Sequence, residues 1–192
     1  MVDNAIVSQL TDLSLTMFRK NFFGIYHGAI SAKLDHETFV INTRDAIFDE
    51  MSTKSFCELN LNKQDYRWNI SSIESYVHST IYNNIHEAKF IAFGMPIYTT
   101  AYTLEHNKIK FEDYFGATTF GEIEIYDPGD FSSWYDRNSF EVTKYLKKTS
   151  NNTMIIKGIG TYIYDRDLTE LVKKVAILEN SCRLLSTKSS FN

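Results

Sequence analysis

The chain is poor in the residues that mark several common classes of protein. Its 192 residues include two cysteines, Cys57 and Cys182, which form no CxxC motif. This spacing excludes a disulfide-rich scaffold and predicts thiols buried in a reducing compartment. No run of 18 apolar residues is present, so we expect no membrane-spanning helix and no membrane partner. The first residues lack the basic start and apolar stretch of a secretory signal, and we therefore expect a cytoplasmic protein.

A strong excess of charge is absent too. The chain has 20 Lys and Arg residues and 24 Asp and Glu residues, which gives a net charge of -4 and a pI of about 5.7. This balance argues against a nucleic-acid partner bound through counterion release. Hydrophobic residues make up 43% of the chain, which is incompatible with intrinsic disorder. Aromatic residues are abundant, with 14 Phe and 12 Tyr, and predict a large core with amphipathic residues at interfaces.

Hydrophobic spacing predicts one α/β domain over residues 1–192. Two short apolar runs, residues 29–33 and 38–42, are separated by a polar tetrapeptide and predict a β-hairpin. Early strands followed by alternating helices and strands favour a three-layer domain, with a central, mostly antiparallel sheet between helices. The remaining predicted helices span residues 6–23, 71–84, 97–105, 139–148 and 168–186, and the remaining predicted strands 56–61, 89–94, 121–126 and a pair within 154–164.

Four short motifs in this order resemble those of the class II aldolase/adducin family, which includes fuculose-phosphate aldolases. The family's Gly-Asn-x-Ser turn corresponds to residues 28–31, and its Thr-Pro-x-Gly loop to residues 42–45. Its Ser-Glu-x-x-x-His helix start corresponds to residues 72–78 with one substitution, and its last strand, Gly-bearing turn and Glu-containing helix to residues 155–179. The resemblance covers nearly the whole chain, from Phe22 to Leu185.

The resemblance implies a zinc-dependent reaction on a sugar phosphate. In family enzymes three imidazoles hold zinc as a Lewis acid, and a carboxylate removes a proton next to a carbonyl. Members also form cyclic tetramers, in which a Tyr from a neighbouring subunit donates a proton. The resemblance therefore implies a homo-oligomer, Glu74 as the carboxylate and Tyr114 as the proton donor.

The zinc ligands are missing from the corresponding positions. The family's His-x-His falls on Phe93-Gly94-Met95, and the His of its late His-Gly falls on Ile159. The chain has five histidines and none is in a His-x-His pair. Because Phe and Ile bind no metal and a lone thioether binds zinc poorly, we expect no zinc and no other cofactor.

Part of the phosphate-binding cradle is retained. The resemblance places an anion against Gly28, Ser31, Thr43, Arg44 and Ser72, where hydroxyls, backbone amides and one guanidinium are available. This predicts an anionic small molecule as a binding partner.

Three hypotheses follow from these residues. The first is a protein that is inactive as a zinc aldolase and acts by binding or assembly. The second is a divergent metal-dependent aldolase or epimerase that uses Glu74 and Tyr114 and recruits a new ligand set, for example Glu74 and His78 with a third residue. The third is a metal-free binder of anions. His78 lies four residues after Glu74 on the same helix face, and a core or capping role is the commoner one for such a histidine.

Overall fold

An eight-stranded sheet lies at the centre of the molecule. The computed structural model describes residues 4–189, and its strands are ordered β3-β2-β1-β4-β8-β7-β6-β5. Every neighbouring pair is antiparallel except β6 and β7, which are parallel. The strands are β1 (Ala29–Lys33), β2 (Thr38–Asn42), β3 (Phe56–Asn60), β4 (Phe90–Gly94), β5 (Lys108–Lys110), β6 (Glu122–Tyr126), β7 (Thr153–Ile156) and β8 (Gly160–Asp165).

Helices cover both faces of this sheet, which confirms the predicted three-layer α/β architecture. Short 3-10 helices at Thr53–Ser55, Tyr66–Asn69 and Phe131–Ser133 connect some of the elements. No helix within residues 4–189 is long and apolar enough to cross a bilayer. The α-helices are α1 (Asn4–Arg19), α2 (Ser75–Asn84), α3 (Ile97–Glu105), α4 (Tyr114–Thr119), α5 (Trp134–Leu146) and α6 (Leu168–Ser189).

Two hydrophobic cores lie on opposite faces of the sheet because successive strand residues point to opposite sides. In β4, Ala92 packs into the core shared with α1 and α6, whereas Ile91 packs into the core shared with α2 and α5. Both residues are almost completely buried. Strands covered on both faces are expected to be apolar along their whole length, which explains the continuous apolar run that predicted β4.

A carboxylate fixes the first turn of α3 against α6. The buried Glu179 accepts hydrogen bonds from the backbone amides of Tyr98 and Thr99, each at 2.9 Å, and from the Thr99 hydroxyl at 2.9 Å. These amides have no carbonyl partner within their own helix. Glu179 therefore acts as a structural cap, and the start of α3, which directly follows β4, is held in place.

Several predicted element boundaries were wrong. The helix predicted to reach residue 23 ends at Arg19, because Asn21 adopts a left-handed φ of 61° and the chain turns back. The helix predicted from residue 71 begins at Ser75, since Ser71 forms a bridge with Thr43. Helix α5 begins at Trp134 rather than at residue 139. Strand β5 and helix α4 were not predicted, and both are short.

Candidate functional site

A small cleft opens where the start of β1, the end of β2 and the segment before α2 meet. Its volume is about 150 Å³. The loop before β1 contributes residues 26–28, and the segment before α2 contributes residues 72–74. Asn42 and Arg44 come from the end of β2 and the loop after it, Phe93 from β4 and Tyr135 from α5. Of the residues with predicted site roles, the cleft brings together Gly28, Arg44, Ser72, Glu74 and Phe93.

Glu74 lies at the base of this cleft, immediately before the first residue of α2. Its side chain is buried, with 3% of the residue exposed, and it accepts a hydrogen bond from the hydroxyl of Tyr162 on β8. Burial raises the pKa of Glu74 to about 7, while the bond from Tyr162 acts in the opposite direction. Burial and the neighbouring carboxyl raise the pKa of Tyr162 well above its usual value. Near neutral pH, Glu74 can therefore hold or release a proton.

The three positions predicted to correspond to zinc ligands lie at one end of the β4–β8 pair. Phe93 is opposite Tyr162 in the register, and their ring centroids are 4.5 Å apart. Ile159 packs against the core beside α2 and α5, and Met95 is 40% exposed. Within the described residues no group of three His, Cys, Asp or Glu side chains could hold a metal ion. The side chains present at these positions therefore do not fit a zinc ion.

His78 is a core residue, as the commoner alternative for it predicted. It is fully buried, and its Nδ1 lies 2.7 Å from the Ser31 hydroxyl. Burial lowers the pKa of His78 to about 3, so the imidazole is neutral at physiological pH. Its Nε2 has no hydrogen-bond partner among the described atoms.

Ser31 is not among the residues that line the cleft, and its contact with an anion stays a prediction. Ser31 is fully buried, and its hydroxyl lies 2.7 Å from both the His78 ring nitrogen and the Tyr82 hydroxyl. Strand alternation directs Ser31 towards α2, in the layer below the cleft. Its hydroxyl is used for packing α2 against the sheet.

Backbone donors of the loop after β2 are also occupied. The amide of Thr43 donates to the Ser55 carbonyl at 2.8 Å, and the amide of Arg44 donates to the Ile70 carbonyl at 2.9 Å. Neither amide is therefore free to bind an anion, and the anion-binding role of Thr43 stays a prediction. The Arg44 side chain remains available, since none of the ion pairs within residues 4–189 includes it.

Gly28 and Ser72 keep a place in the cleft. A Cβ at residue 28 would lie 2.7 Å from a ring carbon of Phe23, so a side chain would have to displace that ring. The buried Ser72 hydroxyl accepts a 3.3 Å hydrogen bond from the Glu74 amide. Its proton is left to donate to a ligand.

Tyr114 does not line the cleft of its own chain. It is the first residue of α4, is 76% exposed and packs edge-to-face against Phe115. It can therefore meet Glu74 only in a cleft formed with another chain, and its role as a proton donor stays a prediction.

Three aromatic residues at the site were not predicted from the sequence. Tyr26 and Tyr135 line the cleft, and Tyr162 binds Glu74 beneath it. His27 also lines it. Tyr162 lay in a predicted strand, but no local pattern shows which residue a strand places beside a distant carboxyl. Proximity of these residues depends on the strand order.

Residues 8–186 match the family model described as "Class II Aldolase and Adducin N-terminal domain". The fold is similar to that of the l-fuculose-1-phosphate aldolase from Thermus thermophilus, with a TM-score of 0.85, 16% identity and coverage of 96% of this chain and 94% of that one. YgbL from Escherichia coli, described as "a putative aldolase/epimerase/decarboxylase", gives a TM-score of 0.80, with 15% identity and coverage of 97% and 91%. A sugar-phosphate aldolase from Thermotoga maritima gives 0.75, with 12% identity and coverage of 98% and 97%. No curated protein matches the sequence significantly.

Proposed function

Because the chain belongs to the class II aldolase and adducin N-terminal domain family, we propose that it uses the family's cleft to bind a small anion without catalysing a zinc-dependent aldol reaction. One observation carries the proposal. The cleft combines an unpaired Arg44 with a predicted zinc position that is filled by Phe93, whose ring packs against Tyr162. The unpaired guanidinium favours a bound anion. The phenylalanine leaves no place for the zinc ion that would activate a sugar phosphate.

The chemistry of the remaining side chains supports the loss of zinc. A zinc site needs about three protein ligands to hold the ion and keep one position open for substrate. Glu74 offers one carboxylate that already binds Tyr162, and the Nδ1 of His78 is engaged by Ser31. A set built on Glu74 and His78 finds no third ligand within residues 4–189.

Metal content tests this part of the proposal. We expect protein purified without chelator to contain far less than one zinc per chain by mass spectrometry, and added zinc to leave the melting temperature unchanged. Ligand binding stabilises a folded protein according to its affinity, so a true site would raise that temperature. Stoichiometric zinc that is lost in Glu74→Ala would contradict the proposal and favour the enzyme.

Anion binding is carried by Arg44 and Ser72. A guanidinium binds phosphate or carboxylate by charge-assisted hydrogen bonds, which are stronger than neutral ones. The Ser72 hydroxyl lies in the same cleft and has a proton to donate. The two groups come from neighbouring segments, since the Ser72 amide donates to the Asn42 carbonyl at 3.0 Å.

Replacing Arg44 should abolish most of this binding. We expect inorganic phosphate or a sugar phosphate to bind Arg44→Ala at least about tenfold more weakly than the unchanged protein, because a charge-assisted hydrogen bond is lost. Isothermal titration calorimetry measures the difference. The matched control is Arg19→Ala, which removes the same charge outside the cleft. Equal weakening in both variants would indicate a general charge effect, and no binding in the unchanged protein would refute the proposal.

A second candidate function is a divergent lyase or epimerase. It is favoured by the raised pKa of Glu74, about 7, since a general base works best when its pKa lies near the working pH. This function needs a metal or another electrophile and the Tyr114 of another chain. A sugar-phosphate cleavage assay with added divalent metals tests this second function. An enzyme of this kind should cleave the substrate and should lose that activity in both Glu74→Gln and Tyr114→Phe. No cleavage by the unchanged protein would count against it.

We also propose that the protein forms a homo-oligomer. Support comes from large apolar side chains exposed around the cleft, such as Ile73 and Tyr135, because exposed apolar patches often mark interfaces. Light scattering at several concentrations tests the proposal, and a monomer at micromolar concentration would contradict it.

A further inference from the structure

The cleft has a basic side chain on one wall and an acidic side chain on another. Arg44 belongs to the loop after β2, and Glu74 belongs to the segment before α2. Neither residue is part of any ion pair within residues 4–189. The guanidinium of Arg44 and the carboxyl of Glu74 therefore line one small cleft without forming an ion pair.

The Glu74 carboxyl is short of a cationic partner. One oxygen, Oε2, accepts the Tyr162 hydroxyl, while Oε1 has no hydrogen-bond partner within the described residues. Ionising a buried carboxyl is costly unless a cation or further donors compensate it. A ligand that brings a positive group into the cleft supplies this compensation.

Aromatic side chains line the same space. Tyr26, Phe93 and Tyr135 line the cleft, and Tyr135 lies on α5. Aromatic faces attract ammonium groups more strongly than they attract neutral hydroxyls. These walls therefore favour a cation beside Glu74 over a sugar hydroxyl.

We propose that the cleft binds a small zwitterion, whose acidic group lies against Arg44 and Ser72 and whose primary ammonium lies against Glu74 between the aromatic rings. This inference rests on the proposed anion binding and names its ligand class. The volume of about 150 Å³ is below the roughly 300–1,000 Å³ of pockets for drug-sized ligands. The ligand is therefore of the size of a small amino acid or an amino alcohol phosphate.

Three matched compounds test the ligand class by calorimetry. O-Phosphoethanolamine has both groups, 2-hydroxyethyl phosphate replaces the ammonium with a hydroxyl, and ethanolamine lacks the phosphate. We expect the first to bind at least about tenfold more tightly than the second, since a hydrogen bond between charged groups is gained. The third should bind most weakly. β-Alanine and 3-hydroxypropionate form the same comparison with a carboxylate and show which acidic group is preferred.

Two variants assign the preference to Glu74. In Glu74→Gln, which can still accept the Tyr162 hydrogen bond, the preference for the ammonium should fall to less than about twofold, because a neutral amide attracts an ammonium weakly. Tyr162→Phe keeps the carboxylate, so the preference should persist there. Circular dichroism checks that both variants are folded. Persistence of the preference in Glu74→Gln, or its loss in Tyr162→Phe, would overturn the assignment.

The outcomes separate this inference from the function on which it rests. If both phosphates bind equally and Arg44→Ala weakens both, the zwitterion is excluded and the anion site stands. If neither phosphate and neither carboxylate binds, both proposals fail. If ethanolamine binds as tightly as O-phosphoethanolamine, Arg44 has no role and both proposals again fail.

Discussion

Replacing Glu74 with glutamine is expected to stabilise the folded protein at pH 8 by about 3 kcal/mol while leaving its stability at pH 4 nearly unchanged. The reason is the buried position of the carboxyl, which raises its pKa from 4.5 to about 7 in the folded chain. The folded state therefore binds the proton more tightly than the unfolded state does. The resulting stabilisation is fully present below about pH 4.5 and is lost as the pH rises through 7.

Chemical denaturation at several pH values measures this effect. The free energy of unfolding of the unchanged protein should fall between pH 4.5 and 7 relative to that of Glu74→Gln, since glutamine has no proton to lose. Glu105→Gln is the matched control, because Glu105 is exposed and surface substitutions usually change stability by less than about 0.5 kcal/mol. A constant difference between Glu74→Gln and the unchanged protein across this range would show that the carboxyl is not desolvated.

A stabilising substitution in a candidate site has a functional meaning. Binding sites keep groups that are unfavourable in the empty protein because a ligand compensates them. Glu74 fits this description, since it is buried and its side chain contacts no cation within residues 4–189. The same feature that lowers stability at pH 8 therefore supports a ligand with a positive group.

The sequence predicted the elements whose signals are local. Residues 97–105 formed a helix with the predicted bounds, because Pro96 precedes an uninterrupted helical segment. The hairpin of residues 29–33 and 38–42 was also correct. The end of α1 was wrong because Asn21 takes a left-handed conformation while the apolar spacing continues through Phe22 and Phe23. Both phenylalanines are buried by tertiary packing instead.

The candidate site was less predictable because its residues come from distant segments. Motif order located Arg44, Ser72 and Glu74, which do share the cleft. Ser31 lies outside the cleft, since the face to which a strand residue points depends on a register that a short motif does not fix. Tyr162 was missed because its contact with Glu74 spans 88 residues. Such contacts follow from the position of β8 next to β4, which no local pattern encodes.

Two buried groups on one helix turn respond to pH in opposite directions. His78 and Glu74 are four residues apart, and 0% and 3% of these residues, respectively, are exposed. Burial favours the neutral form of each side chain. Acid therefore lowers the free energy of unfolding through His78 and raises it through Glu74. Because the two effects oppose each other, the free energy of unfolding should change less with pH in the unchanged protein than in a variant of either residue alone.

Replacing His78 with glutamine should remove one acid-induced loss of stability, so that acid stabilises this variant relative to the unchanged protein. Burial lowers the pKa of His78 from 6.5 to about 3 in the folded chain. The neutral imidazole therefore contributes stability that is fully present above about pH 6.5 and is lost as the pH falls towards 3. Between pH 7 and pH 4 this loss amounts to about 3 kcal/mol, because each pH unit below the unfolded pKa costs about 1.4 kcal/mol. His78→Gln loses packing at every pH, but it should not show this additional loss.

Denaturation curves at pH 7 and pH 4 measure this difference in the free energy of unfolding. The control is His86→Gln, because His86 is exposed. An equal change in the free energy of unfolding between pH 7 and pH 4 in His78→Gln and in the unchanged protein would mean that His78 is protonated in the folded state at pH 4, and the buried link between Ser31 and His78 would then have to be charged.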